Sequence, residues 1–223
     1  MKIWLLAVLF VPWFSLAASY PDAERFRSAI ESFVSADRVF GKGAIVATGS
    51  SSMKGWHDRI AKDLAPLSVI PRGFGGSNMY DVRYFLEELV LRHEPRAVMI
   101  YEGDNDVALG ATPEQIILHF EAIVEQLHFK LPKTRIYILA VKPSLARWHL
   151  WPMMQETNER LKEFSQRDSL VTFVDIATPM LGVNGKPPSS IFVGDMLHMN
   201  DAGYDIWRDA IRAVLIDAEA RYE

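Results

Sequence analysis

The stretch AIVATGSSSMKG, residues 44–55, joins a short apolar run to a glycine and three consecutive serines. The run Ala44–Thr48 is rich in β-branched residues and shows no clean alternation of polar and apolar positions, which is typical of a strand buried on both faces of a parallel sheet. Serines cap helices and fill turns, so the cluster has a structural explanation. The alternative is that one serine is a nucleophile at the carboxyl end of a strand, where open parallel sheets carry their sites.

The alternation of strand and helix continues on both sides of this stretch. Further short runs of the same kind lie at Leu67–Ile70, Ala97–Tyr101, Arg135–Val141 and Leu170–Val174. Amphipathic segments lie before, between and after the strands, at Pro21–Arg38, His57–Leu64, Met79–His93, Pro113–Leu131, Trp151–Asp168 and Ala202–Ala220. This order predicts a three-layer α/β/α fold around a mostly parallel, five-stranded sheet.

The composition narrows the class of protein. Of the 223 residues, 49% are hydrophobic and 23% are charged, and we expect a single domain over residues 18–223. The net charge of −4, with no run of Lys or Arg, argues against a nucleic-acid or anionic-membrane partner. The chain has no cysteine, which excludes disulfides, a thiol nucleophile and a cysteine-based zinc site. The oligomeric state stays open.

The first 17 residues are typical of a cleavable export signal. Lys2 precedes the apolar run Ile3–Phe14, and Ser15-Leu16-Ala17 offers small residues for cleavage. The run is shorter than the ~20 residues of a membrane-spanning helix. We therefore expect a periplasmic or secreted protein without stable membrane insertion after cleavage; an uncleaved N-terminal tether is the alternative.

Polar segments follow the strands and precede the last helix, at Pro71–Ser77 (PRGFGGS), Glu102–Asp106 (EGDND) and Gly194–His198 (GDMLH). In the last of them, Asp195 and His198 can face the same way in one turn. A carboxylate that holds an imidazole in one tautomer makes the histidine a general base. The alternative is a helix N-terminus rich in polar residues, where Asn200 or Asp201 simply caps the final helix.

The other two segments offer neutral hydrogen-bond donors. A backbone N–H within the glycine-rich RGFGGS and the side-chain amide of Asn105 are the kinds of group that stabilise an oxyanion. A plain turn at RGFGGS, an Asx turn at Asn105 and a metal site on Asp104 and Asp106 are the alternatives. Neither GSSSMKG nor RGFGGS has the spacing of a phosphate loop or a dinucleotide-binding loop.

Serine, glycine, asparagine and Asp-x-x-His, in this order, resemble the SGNH or GDSL-like hydrolase family of esterases and lipases. The resemblance covers the chain from about Ala44 to the last helix and implies a flavodoxin-like sheet. It implies that Ser51 is the nucleophile, with Asp195 and His198 as the acid and base of its triad. It also implies an oxyanion hole formed by the Ser51 backbone N–H, Gly76 and Asn105.

Two residues depart from the family pattern. Ser50 replaces the usual aspartate of the first block, and Pro71 stands where the second block often has asparagine. The ordinary α/β-hydrolase pattern does not fit, because its G-x-S-x-G elbow would need a glycine at Met53 and its acid and histidine come from separate loops.

The resemblance implies hydrolysis of a small-molecule, lipid or glycan ester through an acyl-enzyme, without a metal or organic cofactor. Transfer of the acyl group to or from a glycan by the same triad is one alternative, and a non-catalytic glycan- or lipid-binding module is another.

The loop KPSLARWHLW, residues 142–151, follows the fourth strand. There Arg147, Trp148 and Trp151 would wall a substrate pocket, although aromatic residues at such junctions are also common core anchors.

Overall fold

A computed structural model describes residues 19–36 and 43–223 of the protein. Within them lies one five-stranded sheet in which all neighbouring strands are parallel. Its strand order, β2-β1-β3-β4-β5, is that of the flavodoxin-like folds, so the predicted fold class is confirmed. The strands are β1 (Ile45–Gly49), β2 (Val69–Gly73), β3 (Ala97–Tyr101), β4 (Arg135–Leu139) and β5 (Val171–Val174).

Every residue of β1 and of β3 is buried. Burial on both faces is expected for a parallel sheet covered by helices, and it explains why these strands are apolar without alternation. The helices are α1 (Arg27–Ala36), α2 (Ser51–Gly55), α3 (His57–Asp63), α4 (Met79–Tyr84), α5 (Leu86–Leu89), α6 (Asp104–Ala108), α7 (Pro113–Lys130), α8 (Trp151–Ser165) and α9 (Asp201–Glu219).

Strand β2 continues beyond its predicted end at Ile70. Pro71 lies within the strand and pairs in register with Ala47 of β1. Because β2 is at the edge of the sheet, a residue without an N–H group is tolerated there. The longer strand ends at Gly73, level with Gly49 at the end of β1. The glycine-rich loop 74–77 therefore starts beside the three serines.

The predicted helix Met79–His93 is divided into α4, α5 and a 3₁₀ turn at Leu91–His93. The first break is at Phe85, whose φ of −99° and ψ of 24° are not helical. Val82, Phe85 and Leu86 are all buried. Because the core-facing side chains continue across the break, hydrophobic spacing alone does not reveal it.

The N-terminal segment is described only in part. The predicted helix Pro21–Arg38 begins as a 3₁₀ turn, Ala23–Phe26, and continues as α1. Its last two residues and the predicted export signal, residues 1–17, lie outside the described residues. In the part of the chain that the structure describes, no helix has the length and apolar character needed to cross a membrane.

Candidate active site

The candidate site begins at the carboxyl end of β1, where the chain turns sharply into α2. Gly49 ends the strand with a φ of 137°. A Cβ atom at this position would lie 2.1 Å from the carbonyl oxygen of Tyr101 in β3, so only glycine fits. The N–H of Ser50 donates to the same carbonyl at 3.1 Å. The turn makes Ser51 the first residue of α2.

The three serines have different surroundings. Ser50 occupies the N-cap position of α2, but its side chain makes no capping hydrogen bond. Ser50 and Ser52 are buried, with 2% and 3% of their surface exposed, whereas Ser51 is partly exposed. The Ser51 hydroxyl lies within hydrogen-bond distance of the His198 imidazole. Hydrogen bonding at the start of α2 therefore does not support capping as the explanation of the cluster.

Ser51, His198 and Asp195 form a continuous chain of hydrogen bonds. The Ser51 Oγ lies 2.9 Å from His198 Nε2, and His198 Nδ1 lies 2.6 Å from Asp195 Oδ2. The other carboxylate oxygen of Asp195 accepts the N–H groups of Leu197 and His198, each at 2.9 Å. The hydrogen bond from the His198 ring and these two backbone bonds hold the pKa of Asp195 well below its usual range. An ionised Asp195 places the imidazole proton on Nδ1 and leaves Nε2 to accept from Ser51.

A tight loop brings Asp195 and His198 together. Phe192 and Met199 form an antiparallel bridge at its base. Met196 lies between the two polar residues with a φ of 58°, in the left-handed region that lets the chain reverse. Asn200, beyond this loop, accepts the N–H of Gly203 and caps α9. The cap expected for the last helix therefore exists, but it is separate from the Asp195–His198 pair.

Two possible oxyanion donors follow the strands on either side of β1, one after β2 and one after β3. Asn105, in α6 after β3, donates from Nδ2 to the carbonyl oxygen of Ser77 at 2.8 Å. Its amide nitrogen carries a second hydrogen. Gly76 is exposed and has a φ of 85°. Within the described residues, its N–H donates no hydrogen bond.

The carboxylate of Asp106 is buried and holds neighbouring backbone in place. It accepts the N–H groups of Gly103 and Met79 and the hydroxyl of Tyr20, at 2.9 to 3.2 Å. Burial raises its pKa to about 6, although these donors act in the opposite direction. The bond to Gly103 is a capping interaction for α6. Asp106 thus links α6 to the start of α4.

The carboxylate of Asp104 faces two cations. Lys142 Nζ lies 3.3 Å from its Oδ2, and Arg147 Nη1 lies 2.7 Å from its Oδ1. Burial alone would raise the pKa of Asp104, but the two cations lower it below the usual value. Asp104 and Asp106 therefore have separate sets of partners. Over the described ranges, no three acidic or histidine side chains are grouped as a metal site requires.

Comparison with known proteins assigns the chain to a protein family. The model of the GDSL-like lipase/acylhydrolase family matches residues 19–206. The chain belongs to this family. Membership makes it an ester-hydrolysing enzyme, and the predicted resemblance is confirmed. A comparison with curated protein sequences gives no match.

Solved structures with the same fold include other hydrolases. A GDSL-like lipase from Bacteroides thetaiotaomicron is 20% identical, with a TM-score of 0.72 over 88% of this chain and 98% of its own. A family 3 carbohydrate esterase from Clostridium thermocellum is 17% identical, with a TM-score of 0.65 over 80% and 97%. An acetylxylan esterase from Geobacillus stearothermophilus is 16% identical, with a TM-score of 0.61 over 78% and 94%. At these identities the likeness concerns the fold.

This acylhydrolase also contains a buried carboxyl group to which the sequence pattern assigns no role. Glu102 follows β3 directly, is fully buried and accepts a 2.5 Å hydrogen bond from the hydroxyl of Ser77. Burial, reinforced by the nearby Asp106 carboxylate, raises the pKa of Glu102 well above its usual range. Ser77 is the residue whose carbonyl oxygen holds Asn105. In the sequence, the burial of Glu102 is indicated only by its position directly after an apolar strand.

The three residues predicted to wall a pocket occupy different environments in this hydrolase. Arg147 reaches Asp104 and Asn105. Trp148 is partly buried and stacks on Trp151, with ring centroids 5.9 Å apart. Trp151 is buried and lines a cleft of about 200 Å³ between α8 and the end of β5. The structure therefore brings Arg147 to Asp104 and Asn105, and Trp148 and Trp151 to each other.

Proposed function

We propose that this hydrolase cleaves a carboxylic ester through a covalent acyl-enzyme on Ser51. The observation that carries the proposal is the hydrogen-bonded chain from Ser51 through His198 to Asp195, with distances of 2.9 and 2.6 Å. A hydroxyl paired with a base that a third group orients is the arrangement that activates a serine for acyl transfer.

In the first half-reaction, the Ser51 oxygen attacks the carbonyl carbon of the ester while His198 Nε2 takes the hydroxyl proton. The imidazolium that forms is stabilised by Asp195, which also holds the ring in the required tautomer. The tetrahedral intermediate then expels the alcohol, and His198 returns the proton to the leaving oxygen. The acyl group remains on Ser51 as an ester.

The negative charge of the intermediate develops on the former carbonyl oxygen. We assign its stabilisation to the N–H groups of Ser51 and Gly76 and to the second Nδ2 hydrogen of Asn105. Removal of one such donor typically costs about 3 kcal/mol of transition-state stabilisation. The bond from Asn105 to Ser77 supports this role, because it fixes one hydrogen of the amide and thereby orients the other.

In the second half-reaction, water attacks the acyl-enzyme with His198 again as the base. The bond between the acyl carbon and the Ser51 oxygen then breaks, the carboxylic acid leaves, and His198 returns the proton to Ser51. The side chains of His198 and Asp195 are 41% and 47% exposed. Such an open base admits water from bulk solvent, as hydrolysis of the acyl-enzyme requires. The same openness argues for a substrate that docks on the surface of the site.

The proposed substrate is a small-molecule, lipid or glycan ester. Carbohydrate esterases among the proteins of the same fold favour testing acylated sugars first. We also propose that residues 1–17 direct export and that residues 18–223 act as one domain, in keeping with the N-terminal sequence pattern.

Turnover of p-nitrophenyl acetate, butyrate and octanoate, with and without a sugar acceptor, tests the proposed function. The expected result is release of the free acid, lost in Ser51→Ala and kept in the matched variant Ser50→Ala. Acylated sugar as the main product would identify an acyltransferase. Folded protein that releases no p-nitrophenol and leaves acylated sugars unchanged would contradict catalysis and favour a binding module.

A further inference from the structure

Arg147 lies in the loop between β4 and α8, and its side chain is turned inward. Its Nη1 donates to Asp104 Oδ1 at 2.7 Å and to Asn105 Oδ1 at 2.9 Å. Only 22% of the side chain is exposed. One guanidinium nitrogen thus joins the buried Asp104 carboxylate to the side-chain amide of Asn105.

This contact completes the restraint of the Asn105 amide. The oxygen end is held by Arg147 and the nitrogen end by the carbonyl oxygen of Ser77, at 2.8 Å. Because the amide group is planar, hydrogen bonds at both ends fix the direction of the remaining N–H. A cationic donor on the amide oxygen also polarises the group, which strengthens its N–H as a donor.

Charge pairing with Asp104 does not by itself explain why Arg147 reaches Asn105. Asp104 has a second cation, the fully buried Lys142, whose Nζ also donates to the carbonyl oxygen of Leu197 at 2.8 Å. Leu197 immediately precedes His198. Asp104 is therefore paired with two cations: Lys142, which contacts the loop of His198, and Arg147, which contacts the amide of Asn105.

We propose that Arg147 is a positioning residue that accelerates turnover through Asn105, by fixing and polarising its amide as an oxyanion donor. This inference rests on the proposed function, since it concerns the oxyanion of the same reaction. It assigns Arg147 a different task from the pocket wall expected from the sequence. A pocket wall acts on binding of the substrate, whereas a positioned oxyanion donor acts on the transition state.

Arg147→Met tests the proposal, because methionine has a similar length but donates no hydrogen bond. Misplacement of a catalytic group by about 1 Å costs up to ~10²-fold in rate. We expect kcat to fall by about 10- to 100-fold with little change in KM. Arg147→Lys keeps a cation that can donate to one of the two oxygens, and its kcat should lie between those of Arg147→Met and wild type. His149→Ala, at an exposed position of the same loop, is the matched control and should behave as wild type.

A double-mutant cycle separates action through Asn105 from any other action. In the background of Asn105→Ala, Arg147→Met should change kcat by less than about two-fold, because the group on which it acts is gone. An undiminished effect in that background would overturn the proposal, and so would a raised KM with unchanged kcat. Thermal melts accompany each variant, and Arg147→Lys carries the cycle in place of Arg147→Met where the methionine variant does not fold.

A spectroscopic readout keeps the test independent of esterase activity. The side-chain NH₂ signals of Asn105 in a ¹H–¹⁵N spectrum are identified by their loss in Asn105→Ala. They should move in Arg147→Met and stay in place in His149→Ala; signals that do not move in Arg147→Met would overturn the inference. Wild-type protein without esterase activity, but with the expected signal change, would reject the proposed function while retaining the contact on Asn105.

Discussion

Replacement of Glu102 by glutamine is expected to stabilise the protein above neutral pH, which is unusual for a fully buried position. Glutamine keeps the shape of the side chain and the oxygen that accepts from Ser77 at 2.5 Å. It removes the ability to ionise and puts a neutral NH₂ group in place of the second oxygen, a change whose cost does not depend on pH. The other carboxyl oxygen of Glu102, Oε2, has no hydrogen-bond partner within the described residues. An ionised Glu102 would therefore be a poorly solvated charge.

The magnitude follows from the raised pKa of Glu102. The unfolded chain releases the proton near pH 4.3, whereas the folded protein retains it to a much higher pH. The folded state then binds more protons, so the free energy of unfolding falls as the pH rises through this interval, by up to about 1.4 kcal/mol per pH unit. The glutamine variant lacks this loss. Asp106, with a pKa of about 6, adds a slope of the same sign to both proteins, so the comparison is made between the two proteins at each pH.

Urea unfolding at pH 5, 6, 7 and 8 measures this difference. The free energy of unfolding of Glu102→Gln minus that of wild type should increase with pH. The matched control is Glu219, which is equally buried but is paired with Arg96, Arg135 and Tyr137. Glu219→Gln should destabilise by about 3–5 kcal/mol, the usual cost of breaking a buried ion pair. A pH-independent difference for Glu102→Gln would refute the reasoning.

Two further substitutions test the roles proposed at the site. Asp195→Asn should lower kcat by up to about 10⁴-fold, the loss known for the wrong histidine tautomer in a serine protease, and steady-state kinetics on an activated ester measures it; near-normal kcat would remove Asp195 from the mechanism. Asn105→Ala should lower kcat by about 10²- to 10³-fold with little change in KM. A collapsed thermal transition in that variant would instead point to a structural role.

Much of the fold was predictable because parallel strands buried on both faces leave an obvious pattern. The predicted ends of helices and strands were wrong where they depend on hydrogen bonding, about which the hydrophobic pattern carries no information. Hydrophobic spacing continued through Phe85, where the helix stops, because the side chains on either side still face the core. The second strand was expected to end at Ile70, before Pro71, because a proline interrupts a central strand. The sequence does not show that this strand is at the edge of the sheet, where a proline is tolerated.

The candidate site was predictable where residue types are distinctive, and less so where their partners are distant. Ser51, Asp195 and His198 were predicted together, and the structure places them within hydrogen-bond distance. The burial of Glu102 and Lys142 was not predicted, because charged residues are normally exposed and their burial depends on partners far along the chain. The hydroxyl that binds Glu102 is 25 residues away, and the carbonyl that binds Lys142 is 55 residues away.

The most direct test of the central claim is labelling of the three serines by a fluorophosphonate probe, read together with turnover. Wild type, Ser50→Ala and Ser52→Ala should be labelled and active, since neither flanking hydroxyl is the proposed attacking group. Ser51→Ala should melt almost normally, remain unlabelled and have no turnover. Labelling of Ser51→Ala at Ser50 or Ser52 would contradict the assignment of the nucleophile, and the absence of labelling in folded wild-type protein would contradict catalysis by a serine.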